Sequence, residues 1–264
     1  MKYDKFGLCL DSYIQSKNVA KIYYRRAVGK LPEQESSKII AKKVKLICKK
    51  NFKILDVGAG CGQDYRSLKK EIKYSFFYTG IDPNKVFVSK GKIAWKNDEN
   101  VIFKNGNAYK IPFKKNSFDI VMCNNTLHRL IKIEKVIKEM LRATKKYLVI
   151  RSHIHDRSYK IQLVHNNKWQ KYSKIKPENE FDKEGNPRGF SYFNIFSQDY
   201  IKYLVKKYAP KSKIKIIEDT FFDHKKINLS SKKQKRAFGT KVINGKQVSD
   251  LVILPLKILI IKKL

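Results

Sequence analysis

Apolar residues recur at three- and four-residue spacing between Lys17 and Lys50; beyond that they gather into short blocks divided by helical-period stretches. The first region predicts two helices split by the turn Gly29-Lys30-Leu31-Pro32. The second helix is predicted to start at Pro32, with Glu33 and Glu35 in its first turn, where carboxylates suit the helix dipole. The later blocks predict strands at Lys53–Val57, Tyr78–Asp82, Val101–Lys104, Phe118–Cys123 and Tyr147–Ile150, with helices at Asp64–Lys70, Lys85–Lys96 and Ile131–Ala143 between them. Phe118 to Cys123 is almost continuously apolar and therefore central. Strands alternating with helices imply βαβ units, so the expected fold class is α/β, a mostly parallel sheet covered by helices on both faces.

Arg151 to Asn194 breaks this rhythm, being polar with turn chemistry at Gly185-Asn186-Pro187. A helix is predicted from Ser197, as N-cap, to Tyr208, followed by strands in Ser212–Glu218 and within Leu251–Ile261. There is neither an internal repeat nor a flexible linker. The chain reads as one domain in four sections: an N-terminal helical cap (1–50), a ligand-binding core (51–155), a lid or acceptor insert (156–195), and a C-terminal helix and strands (196–264). The insert carries Trp169, Tyr172, Phe181, Phe190 and Tyr192.

The chemistry concentrates in Ile54-Leu55-Asp56-Val57-Gly58-Ala59-Gly60-Cys61-Gly62, a strand running into glycines that keep side chains away from the backbone, with a helix N-terminus at the same spot. The dinucleotide spelling G-x-G-x-x-G fails, because Gln63 follows Gly62. D-x-G-x-G-x-G stands instead and resembles motif I of the class I S-adenosylmethionine-dependent methyltransferases. Three further segments are similar to that family in order and spacing: Gly80-Ile81-Asp82-Pro83, Gly106-Asn107-Ala108-Tyr109-Lys110-Ile111-Pro112-Phe113, and Ser117 to His128.

The resemblance implies a Rossmann-like seven-stranded fold and S-adenosylmethionine as cofactor. It places Asp56 at the donor ammonium, the amides of Gly58, Ala59, Gly60 and Gly62 at the donor carboxylate, Asp82 with Pro83 at the ribose, and Asn107, Ala108 and Tyr109 around the adenine. Asn107 replaces the usual Asp. Asn124 lies at the cofactor-facing end of strand four, and Arg26, in Tyr23-Tyr24-Arg25-Arg26, could pair with the donor carboxylate from an N-terminal helix closing over it. That basic cluster could equally be a solvated helix face. No metal-ligand spacing is visible, and methyl transfer requires none.

The acceptor side is less defined. His128 is either a general base or a packed histidine. Arg151-Ser152-His153-Ile154-His155-Asp156-Arg157 follows the strand-five end and is expected at the active-site rim or as a solvated loop, with His153 a second candidate base and Arg151, His155, Tyr24 and Arg25 candidate acceptor ligands. The net charge of +36, from 59 Lys and Arg against 23 Asp and Glu, favours anions. Part of that excess fits the Lys-, Ile- and Asn-rich composition of an AT-rich coding sequence. The expected activity is O-methylation of a small anionic acceptor. The motif spelling is similar to that of quinone and sugar methyltransferases, and Arg25 to Glu33 resembles methyltransferases of surface-polysaccharide loci, implying capsule biosynthesis and a phosphorylated or nucleotide-linked sugar precursor. The alternatives are an RNA methyltransferase and a non-catalytic nucleic-acid binder. The four cysteines show no CxxC and read as reduced thiols of a cytoplasmic protein. Leu251 to Ile261 is far below the roughly 20 apolar residues of a transmembrane span.

Overall fold

A computed structural model describes residues 17–165, 175–219, 240–243, 246–249, 252–253 and 256–264. Trp169, Tyr172, the basic run 225–236 and the first sixteen residues lie outside them.

Two helices open the chain, α1 (Lys17–Ala27) and α2 (Glu35–Lys45). The alternating core follows as β1 (Lys53–Val57), α3 (Gln63–Glu71), β2 (Phe77–Asp82), α4 (Lys85–Ala94), β3 (Val101–Asn105), β4 (Phe118–Asn124), α5 (Ile133–Ala143) and β5 (Thr144–His155). Then come β6 (Gln162–Val164), β7 (Phe190–Tyr192), β8 (Phe196–Ser197), α6 (Gln198–Tyr208) and β9 (Lys213–Glu218). Last are β10 (Thr240–Ile243), β11 (Lys246–Ser249), β12 (Val252–Ile253) and β13 (Leu256–Lys262).

The main sheet has the order β3-β2-β1-β4-β5-β13-β9, with β8 added beside the end of β5. Strands β1 to β5 pair in parallel, and β13 runs antiparallel to both neighbours. This is the expected mostly parallel seven-stranded sheet. The chain leaves β1 toward β2 on one side and β4 continues toward β5 on the other, so a cleft opens off the carboxyl ends of β1 and β4. Alternation sorts the side chains: Leu55, Val121, Leu148 and Ile150 face α5 and α6, while Ile54, Ile120, Met122 and Val149 face α2 and α3.

Two elements depart from the pattern-based reading. Helix α2 starts at Glu35 rather than Pro32, because Glu33 is drawn to Lys70 and Ser67 on α3. Strand β5 runs on to His155, five residues past Ile150, because β4, β13 and β8 supply partners along it. The segment expected beyond the strand end is therefore strand as far as His155. Ser197 caps α6 as expected, accepting from the Tyr200 amide. Cys48, Cys61 and Cys123 are buried free thiols, and burial pushes the last two up to about 12. No helix among the described residues is long and apolar enough to cross a membrane.

Candidate active site

The glycine loop folds back on the end of β1, with Gly58, Gly60 and Gly62 in the left-handed region at φ 85°, 56° and 82°. Its glycines serve protein packing. A Cβ on Gly58 would stand 2.3 Å from the Thr126 hydroxyl, and one on Gly62 2.6 Å from Phe103 and from Trp95. The loop amides have internal acceptors: Gly58 and Ala59 donate to the Ile81 carbonyl, Gly60 to Asp82 Oδ2, Cys61 to Gln63 Oε1 and Gly62 to the Ala59 carbonyl. The amides expected to serve a donor carboxylate are thus occupied.

A different cation is at hand. Helix α1 lies across the loop, with Ala20 against Cys61 and Tyr23 at the position of a Gly60 Cβ. One turn after Tyr23, the Arg26 guanidinium is half-buried and its Nη1 has no hydrogen-bond acceptor. Desolvation pulls its pKa down. Tyr24 faces α4, with Lys90 5.3 Å from its ring centre, and Arg25 is exposed.

Three buried carboxyls surround the loop. Asp56 accepts from the Tyr78 hydroxyl (2.6 Å), and its Oδ1 has no partner. Asp64, in the first turn of α3, accepts from Ser37 Oγ and from Asn124 Nδ2 (3.0 Å). Asp82 holds the Gly60 and Asn84 amides at 3.1 and 2.8 Å. Burial raises the Asp56 pKa well above the carboxylate range, reinforced by the charges of Asp64 and Asp82. Burial likewise raises Asp64, and lifts Asp82 to about 6. Among the described residues Arg151 is the one cation acting on this cluster, through Asp64, and the unpartnered buried oxygen of Asp56 costs on the order of 1–3 kcal/mol. A ligand bearing ammonium and sulfonium charges fits it, and its carboxylate fits Arg26. Asp64 was not singled out from sequence. Its signal was an acid beside Tyr65 and Leu68 on a helix face that turns to the sheet.

The loop expected around the adenine differs in detail. Asn107 is exposed and its Oδ1 accepts from the Tyr109 amide (2.8 Å), closing a turn. Ala108 is buried, and the Tyr109 hydroxyl accepts from the Ile131 amide (2.9 Å). Pro83 is exposed beside Asn84, which caps α4.

Across the cleft, Arg151 is 3% exposed and fully engaged. Its Nε and Nη2 donate to Asp219 Oδ2 at 2.8 and 2.5 Å, and Nη1 donates to Asn125 Oδ1. It is a buried structural cation rather than a free anion ligand. His128 and His153 meet edge to face with centroids 4.8 Å apart, and Phe193 packs on both at 5.0 and 4.8 Å. Both Nδ1 atoms are buried without partners. Desolvation first, then the charges of Arg151 and Arg129, hold His153 down to about 3; burial and these neighbours also hold His128 well below the usual histidine range. His155 is exposed at the strand end, near the Tyr159 ring. Sequence reasoning missed Asn125, Phe193, Asn194 and Asp219, which carry no local signal. The Asn194 amide donates to the His128 carbonyl at 2.7 Å.

A family model described as a methyltransferase domain matches residues 48–207. The chain is 31% identical to the uncharacterized methyltransferase YcgJ of Bacillus subtilis (strain 168) over 100 residues, 37% of this chain and 38% of that protein. It is 31% identical to demethylmenaquinone methyltransferase of Staphylococcus aureus (strain MRSA252) over 131 residues, 49% of this chain and 54% of that enzyme. The chain thus spans about half or less of these curated relatives. Among solved structures, YcgJ of Bacillus aligns with a TM-score of 0.50 at 18% identity, covering 86% of this chain and 97% of that one. Haemonchus contortus phosphoethanolamine N-methyltransferase 2, bound to phosphomonomethylethanolamine and S-adenosylhomocysteine, aligns at 0.57 with 13% identity, covering 97% and 60%.

Proposed function

Because the chain belongs to the class I S-adenosylmethionine-dependent methyltransferases, we propose that it O-methylates a small anionic acceptor, a phosphorylated or nucleotide-linked sugar precursor of a surface polysaccharide. S-adenosylmethionine supplies an activated methyl group when bound. On this reading Asp56 and Asp64 balance its positive charges, Arg26 takes its carboxylate, Asp82 takes its ribose hydroxyls, and the Asn107–Tyr109 loop borders its adenine. Helices α1 and α2 cap this half, and β6 and β7 border the acceptor.

The observation that carries the reading is the buried His128–His153–Phe193 cluster set beside Arg129 and Arg151. Both imidazoles are neutral at physiological pH, so either can take the proton of an acceptor hydroxyl as its oxygen is methylated. Their proton affinity is lowered first by burial and then by neighbouring charge, including that of Arg129 and of Arg151, which is itself paired with Asp219. An anionic acceptor offsets those charges and raises it. The positive field thus links the acceptor's charge to base catalysis. The fold is compatible with such a ligand, since the Haemonchus enzyme was solved with a phosphorylated one.

The test is turnover of labelled S-adenosylmethionine on phosphorylated hydroxyl compounds and on their neutral analogues. The phosphorylated members are expected to be preferred. His128→Asn is expected to lower turnover about 100-fold, with S-adenosylhomocysteine affinity unchanged. Equal turnover on neutral analogues would sink the anionic acceptor.

A further inference from the structure

Between α5 and α6 lies a cavity of about 560 Å³, floored by Phe196 of β8. Its lining carries Lys132 at the N-cap of α5, Lys135 and Lys138 on that helix, and only two acids, Glu134 and Glu139. Both acids are already neutralised. Glu134 is held by Lys207 at 2.7 Å and by the Tyr208 hydroxyl at 2.6 Å. Glu139 is held by Arg142 through two contacts of 2.8 Å and accepts from the Ile111 amide. Among the described residues the three lysines have no carboxylate within ion-pair distance. The cavity is therefore electropositive in effect, although its own sequence segment alternates signs.

It also presents aromatic surface. Tyr200 is 38% exposed at one wall, and Tyr208 stands at another with Lys138 5.5 Å from its ring centre. Phosphate-sized anions alone would leave most of such a volume empty, whereas ligand pockets of roughly 300–1,000 Å³ suit whole nucleotides. Lysines for phosphate and a tyrosine face for stacking are the pairing that recognises a nucleotide.

The position matters as much as the lining. Ile131, at the cavity's edge, donates its amide to Tyr109 of the adenine loop. Asn194 ties the His128 carbonyl to the Leu130 carbonyl, at 2.7 and 3.3 Å, and Ile131, the next residue in the chain, is the first to line the cavity. We propose that this cavity receives a nucleoside diphosphate that forms the binding handle of the acceptor and stays attached throughout methyl transfer, presenting the attached group to His128 and His153. The proposal rests on the anionic-acceptor reading above and specifies it.

Calorimetry on the full chain, at about 0.15 M salt, tests it with uridine diphosphate, guanosine diphosphate, inorganic pyrophosphate and S-adenosylhomocysteine as separate probes. At least one nucleoside diphosphate is expected to bind about tenfold or more tighter than pyrophosphate. Lys135→Glu combined with Lys138→Glu should weaken it about tenfold, and Tyr200→Ala by a similar factor. Tyr200→Phe should restore binding, and S-adenosylhomocysteine affinity should not move in any of these variants. Pyrophosphate binding as tightly, or variants that leave nucleotide binding intact, would overturn the proposal. So would a single-stranded RNA of about 12 nucleotides binding far tighter through the same lysines, which would make the occupant a nucleic acid. Turnover of a base-free phosphorylated acceptor without nucleotide binding would overturn the cavity assignment alone. Failure to turn over any anionic acceptor, with nucleotide binding intact, would instead overturn the anionic-acceptor reading.

Discussion

Around the glycine loop, most of the important polar groups come from one continuous stretch, Asp56 to Asn84; at the ends of β4 and β5 they come from Asn125, His128, His153, Phe193 and Asp219, gathered from across the chain. The first region holds three buried carboxyls with raised pKa values and an unpartnered Asp56 oxygen, and the guanidinium acting on it reaches Asp64 from Arg151. The second carries buried guanidiniums, and its bases are held neutral by burial first and by that charge second. Under the proposed function, the acids on one side of the cleft would favour a cationic donor and the guanidiniums on the other an anionic acceptor.

The contrast breaks most visibly at Asp219. Asp219→Ala leaves Arg151 buried without its carboxylate, and is expected to cost about 3–5 kcal/mol in denaturant unfolding. A loss well under 1 kcal/mol would mean that the acceptor wall is not held by this pair. A smaller effect comes from His153. Its folded pKa of about 3 lies below the unfolded value, so its contribution is complete above the unfolded pKa and is lost as pH falls toward 3. Between pH values of about 6.5 and 5 that amounts to about 2 kcal/mol of lost stability, and His153→Phe should flatten the slope. An unchanged slope in the variant would assign the acid sensitivity elsewhere.

The smallest effect is on the donor wall. Asp82, lifted to about 6 by burial, is mostly protonated at pH 5 and ionised at pH 7. Ribose hydroxyls donate better to the ionised form, so S-adenosylhomocysteine affinity should rise about tenfold as pH rises through that window. Asp82→Asn should bind more weakly at neutral pH and lose the dependence. Affinity that falls as pH rises would contradict the assignment of this wall to the donor.

The glycine-loop wall was legible because it is built from a tight backbone turn and from acids one strand apart. Such features leave a spelling in a short window: Asp56 before the glycines, Asp82 at the tip of the next strand. Even there, local reading misjudged the amides. They looked open in sequence and are closed by Ile81, Asp82 and Gln63, because a loop buried under α1 must satisfy its own donors. The strand end read at Ile150 failed for a related reason. Arg151 and His153 are polar, and a polar run looks like a loop until partners across the sheet supply the ladder and Asp219 supplies the charge.

By itself, then, the sequence determined the βαβ order, the glycine turn, the acids around it and the positive excess, all of which depend on neighbours a few residues away. Tertiary structure decided which cations are free and which are already spent. Arg151, read as an acceptor ligand, is consumed by Asp219. Arg26, on a helix with a basic face, keeps a buried nitrogen unpaired. Pairing energy between buried charges depends on separations of a few ångströms between residues far apart in the chain, and no local pattern encodes that distance.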